Sequence, residues 1–202
     1  MRRELWSRRT APALTVGVLL VVLWTLSACA GGGGAQTLDG DPVAGTGGGT
    51  PAAPPSSPIP STGPQGAAGV EVLRIYRGYW ASEIHASATA DAAGSGLQTY
   101  ATDKALSDAL AGVVRLQRSG LVMTGRPIYR PRVTSVDLQS DPHTATLWDC
   151  LDVTGWHQAT AKGHHDADPA QRLTRYVITV QARTVGETWM ISDVNRYTTQ
   201  PC

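Results

Sequence analysis

Up to Gly120 the apolar residues recur at helical spacing, and beyond it they alternate. That change of period limits the fold more than any other feature of the chain. From Val70 to Ser87, the residues Leu73, Tyr76, Trp80 and Ile84 return at three- and four-residue steps as one apolar stripe. Arg74, Arg77 and Glu83 fall to its sides. Small residues from Ala90 to Gly96 read as a loop. A second helix is expected from Asp103 to Ser119, with Leu106, Leu110, Val113 and Val114 inward and Thr102 as its cap. Asp103 in its first turn and Arg115 and Arg118 in its last complement the helix dipole, and Gly120 ends it. Strands are expected at Leu121 to Met123, Val133 to Leu138, Thr144 to Val153, Leu173 to Val185 and Thr188 to Tyr197. Gly186-Glu187 reads as a tight hairpin turn, Asp141-Pro142 as another turn, and the polar stretch Thr160 to Arg172 as an exposed loop. Helices first and antiparallel strands afterwards define an α+β fold, with the helices packed on one sheet face.

The segment before this unit has a different character. Arg2, Arg3, Arg8 and Arg9 precede an uncharged apolar run, Ala13 to Leu26, and then small residues lead to Cys29. A basic head, a short apolar middle and small residues before a cut site describe a secretory signal. The run is shorter than the roughly 20 residues a spanning helix needs. Between Ala30 and Ala68 the chain is mostly Gly, Pro, Ser, Thr and Ala, with Asp39 and Asp41 its charged residues. Such a composition cannot offset ordering entropy by burial, so a tether is expected there. The organisation is then a signal over residues 1–28, a linker over 29–69 and a folded domain over 70–202. Removing Arg2, Arg3, Arg8, Arg9 and Glu4 from 17 basic and 16 acidic residues leaves 13 and 15. A net charge near −2 supplies no overall electrostatic footprint for nucleic acid or anionic lipid.

Leu26-Ser27-Ala28-Cys29 resembles the lipobox of bacterial lipoproteins. That resemblance implies a lipid-modified Cys29, a membrane anchor and an extracytoplasmic location. Leu73-Arg74-Ile75-Tyr76-Arg77-Gly78-Tyr79-Trp80, Gly120 to Gly125, Asp149-Cys150-Leu151-Asp152, Arg175-Tyr176-Val177 and Trp189 to Val194 resemble actinobacterial secreted lipoproteins. Their domain is similar to the cone-shaped fold of nuclear transport factor two, ketosteroid isomerase and SnoaL-like cyclases. The resemblance implies a strongly curved antiparallel sheet wrapped around helices, with a pocket inside.

Cys150 and Cys202 remain as an even pair in an oxidising compartment, which predicts a disulfide closing a loop of about 50 residues. A redox role would call for a close CxxC pair or a neighbouring base, and the sequence offers neither. His164, His165, Asp166 and Asp168 lack regular ligand spacing and read as a polar loop, so no metal and no cofactor are expected. In the strand through Asp149, strict alternation puts this carboxylate on the apolar face with Ala145, Leu147 and Leu151. His157 follows on the same side if no bulge at Thr154-Gly155 intervenes, and Tyr176 lies on the neighbouring strand. These three are the candidate pocket residues. Three roles stay open: a non-catalytic module binding a small apolar ligand or an envelope protein, an acid–base enzyme of isomerase or dehydratase type using Asp149 and His157, and a structural accessory of an envelope or secretion complex. Non-catalytic binding asks least of the residues present.

Overall fold

The computed structural model describes residues 61–202. The signal, Cys29 and most of the linker lie outside the described residues. Helix α1 runs Gly63–Thr89 and α2 runs Asp103–Arg118, joined through a 3-10 turn at Leu97–Thr99. The strands are β1 Leu121–Gly125, β2 Arg132–Asp137, β3 Thr144–Asp152, β4 Trp156–Thr160, β5 Arg175–Val185 and β6 Thr188–Tyr197.

Helix α1 starts at Gly63 rather than Val70. Pro64 stands in its first turn, where a missing N–H costs no hydrogen bond. The buried Gly66 and Gly69 keep the first two turns slim. Its inward stripe is also rotated from the expected one. Val72, Ile75, Tyr76, Tyr79, Trp80 and Glu83 are buried, while Leu73 and Ile84 sit at the margin. Thr102 holds the cap position of α2 but its side chain makes no capping bond. Instead its backbone N–H donates to the Ile191 carbonyl (2.8 Å), and the Ile191 N–H donates to the Tyr100 carbonyl (2.8 Å). This short pairing covers part of the outer edge of β6.

The chain builds an α+β fold, but not a cone. Its strands form two separate antiparallel sheets, ordered β2-β3-β5-β6 and β1-β4, and neither is strongly curved or closed. Continuous wrapping would require β3 and β4 to carry on one ladder. A turn at Thr154-Gly155 takes the chain out of the larger sheet instead, and β4 then pairs with β1 from Leu121–Thr160 to Gly125–Trp156. Gly125, at φ 73°, lies so close to the Gly155 carbonyl that a Cβ there would overlap it. Aromatic side chains occupy the space between helix and sheet. Trp80 stacks on Tyr129 with ring centres 6.0 Å apart, and Tyr76, Tyr79 and Trp156 meet Trp80 edge-on.

On β3 the alternation is strict: Ala145, Leu147, Asp149 and Leu151 are buried. On β5, Tyr176, Ile178, Val180 and Ala182 face the same layer. Burying each of Leu147, Leu151 and Ile178 contributes roughly 1.5–3 kcal/mol. A register shift at Gln181–Ala182 lets both Ile191 and Val194 of β6 point inward, an interval that plain alternation forbids. The β5–β6 turn contains Gly186 at φ 59°, the backbone region such turns favour.

Cys150 and Cys202 are bonded, with α-carbons 5.8 Å apart and a separation of 52 positions in sequence. After β6 the tail turns back, and the Gln200 carbonyl accepts the Val177 N–H (3.1 Å). Val177 lies opposite Cys150 in the β3–β5 register, so this bond carries Cys202 across β5 to its partner.

Candidate functional site

Asp149 lies where alternation puts it, fully buried. It does not line an open pocket. The Tyr76 hydroxyl donates to Oδ2 (2.7 Å), and the backbone N–H of Arg130 donates to Oδ1 (2.8 Å). Burial raises its pKa above the usual carboxylate value, opposed by those two bonds and by the Cys150 N–H. The Tyr76 hydroxyl is pushed far up by its own burial and by the Asp149 charge. Asp149 therefore acts as a clamp between α1, β3 and the segment before β2.

His157 belongs to another environment. The turn at Thr154-Gly155 moves it into the smaller sheet, where its side chain is 49 % exposed and its Nδ1 lies 2.7 Å from Asp168 Oδ2. Arg172 reaches both groups, at 3.1 Å from Nδ1 and 3.2 Å from the carboxylate. Partial burial works against ionisation of Asp168, yet the Gln158 N–H, the His157 ring and Arg172 together hold its pKa below the ordinary value. Tyr176 is buried and borders a small hollow of about 230 Å³ with Asp168 and Arg172. His157 and Tyr176 thus flank one cluster, and Asp149 stands outside it. The acid–base pair of Asp149 and His157 is not assembled. Among the described residues no group of three or more His, Cys, Asp or Glu side chains is placed to hold a metal.

A larger opening than this hollow lies elsewhere. A cleft of about 470 Å³ lies between α2, the end of α1 and the β1–β4 pair. Ala109, Val113 and Leu116 of α2 and Leu121 and Met123 of β1 supply apolar walls. Its polar floor is Glu83 and Arg196, joined by a 2.8 Å bond from Nη2 to Oε1. Glu83 is only 8 % exposed, and its second oxygen, Oε2, lacks a hydrogen-bond partner. The buried indole N–H of Trp156, on the same cleft, also lacks one. Glu83 raises the pKa of Arg196, whose guanidinium lies 5.8 Å over the Trp80 ring. Burial, and then the Glu83 charge, push the neighbouring Tyr79 phenol well above its ordinary value.

Neither floor residue stands out in the sequence as functional. Glu83 follows Tyr76, Tyr79 and Trp80 at helical steps of seven, four and three, a spacing that signals burial. Arg196 comes inward because of the β5–β6 register shift, which no local pattern announces.

No protein-family model matches the chain, and no curated protein matches it. Among solved structures, the intermembrane space region of chloroplast protein ARC6 shows a partial likeness at 14% identity and a TM-score of 0.40. The match covers 63% of this chain and 95% of that one. At that level the likeness conveys neither fold nor function. Two separate sheets, neither strongly curved nor closed, overturn the assignment to the family with a cone-shaped domain.

Proposed function

We propose that the chain is a membrane-tethered extracytoplasmic lipoprotein whose folded part binds a small ligand without chemical conversion. The tethering half of the proposal rests on Leu26-Ser27-Ala28-Cys29 and the linker after it. The binding half is carried by one observation: a 470 Å³ cleft with an apolar wall and a buried acceptor, Glu83 Oε2, left without a partner. Buried polar atoms are normally satisfied, so an unpartnered carboxylate oxygen on a residue lining the cleft marks where a ligand's donor would dock. A ligand with an apolar body and a hydroxyl or amide donor fits that lining. Glu83 and Arg196 neutralise each other, so a neutral molecule is favoured over an ion.

The test uses full-length chain purified from its own envelope in mild detergent. Native mass spectrometry should find a diacylglycerol-type mass on Cys29 and a second, non-covalent mass. Gly112 lines the cleft, and a Cβ there meets only the Arg115 guanidinium at 3.7 Å. Gly112→Trp should therefore fill the cleft, release the second mass and leave the fold intact. Unmodified Cys29 would sink the tether, and a ligand retained by the tryptophan variant would sink the cleft.

A further inference from the structure

The seven residues Arg126-Pro127-Ile128-Tyr129-Arg130-Pro131-Arg132 cross from the smaller sheet to β2, and the core grips them from several sides. Tyr129 points inward, with its ring centre 6.0 Å from Trp80 and 5.7 Å from Tyr76. Ile128 exchanges both backbone hydrogen bonds with Asp152, at 2.8 and 2.9 Å. The Arg130 N–H is held by the fully buried Asp149. Two prolines fix φ along the same stretch. A leucine at 149 would satisfy the alternation of β3 at lower desolvation cost. The carboxylate instead pins the backbone of an exposed arginine.

What this rigid segment presents is charge. Arg130, Arg132 and, from β5, Arg175 surround a depression of about 520 Å³ beside Trp148 and the disulfide. The Arg132 guanidinium lies 4.9 Å from the Trp148 ring centre. Asp152 is the acid of the group and pairs with Arg175 at 3.8 Å. Among the described residues Arg130 and Arg132 have no ion-pair partner. Three arginines line the hollow against the one aspartate side chain, so positive charge predominates among its lining side chains. None of its lining residues is shared with the cleft of the proposed ligand site.

The geometry points to a second binding site here, for a phosphoryl oxyanion held by the guanidinium groups of Arg130 and Arg132 with Arg175 at its edge. Guanidinium forks match the spacing of phosphoryl oxygens, and a fixed backbone lowers the ordering cost of binding. The group can come from a phospholipid headgroup or from free phosphate, and the experiment separates the two. The detergent-solubilised full chain is titrated calorimetrically at low ionic strength with inorganic phosphate. It is titrated in parallel with short-chain phosphatidylglycerol in neutral micelles, with phosphatidylcholine as reference. Binding of phosphate identifies the free anion as a ligand. Binding of phosphatidylglycerol alone identifies the headgroup. In either case Arg130→Ala/Arg132→Ala should weaken the interaction at least tenfold, and Arg118→Ala on α2 should leave it unchanged. The site is refuted if neither titrant binds, or if the double variant, with native circular dichroism, binds like the wild type.

Discussion

At the scale of single residues, Asp149 carries the clearest consequence. Its burial keeps the folded-state pKa above that of the unfolded chain, so the folded form holds the proton more tightly. Stability attached to this position is greatest below the unfolded value of about 3.9 and falls as pH rises through the folded one. Asp149→Asn keeps an oxygen for the Arg130 N–H and abolishes the titration. The stability of the asparagine variant relative to wild type should therefore increase between about pH 4 and pH 7. Denaturant melts across that range check it, and a constant difference would contradict the raised pKa. The inward position of Asp149 was legible from alternation alone. Its partners were not, because Tyr76 is 73 residues away and the other donor is a backbone group. For His157 the same alternation misled, since the turn at Thr154-Gly155 moves the chain between sheets.

Among elements, the link between α1 and β6 should be the most sensitive. The Glu83–Arg196 bond joins a helix to a strand 113 residues later. Glu83→Ala strands the guanidinium beside Trp80 and should destabilise the fold by about 2–3 kcal/mol. That is less than the loss of a fully buried pair, because 29% of the Arg196 side chain stays exposed. Glu83→Leu/Arg196→Met should recover most of the loss by equilibrium unfolding, and a fully additive double variant would show the two groups to be independent. The α2 span and five of the six described strands were legible from periodicity. The first two turns of α1 were not, because their Gly, Pro and Ala composition matches a linker. Nor was β4, five residues whose one clear inward position is Ala159. Pairing partners lie beyond any local pattern, which is how one expected sheet became two.

For the whole molecule, two properties depend on how distant parts meet. A near-neutral net charge, +1 over the sequence, is silent about the arginines gathered on one face, because averaging removes the segregation that matters for binding. The cysteine pair, by contrast, was legible by elimination, and its loop length sets an upper stabilisation of about 4 kcal/mol. Reduction should lower the melting temperature by an amount within that bound while circular dichroism keeps the signal of the sheet. The bridge has a topological meaning too. Backbone and disulfide together close a ring from Cys150 to Cys202 that contains β4, the polar loop, β5 and β6. The loop residue Lys162 is exposed and lies inside that ring. Cleavage there opens the ring without separating the molecule into pieces. Trypsin-nicked protein should gain the mass of one water, stay folded, and fall into two fragments only when reductant is added. Immediate separation without reductant would show the ring to be open. A protease could then cut the chain at this exposed loop and still leave both halves of its sheet joined.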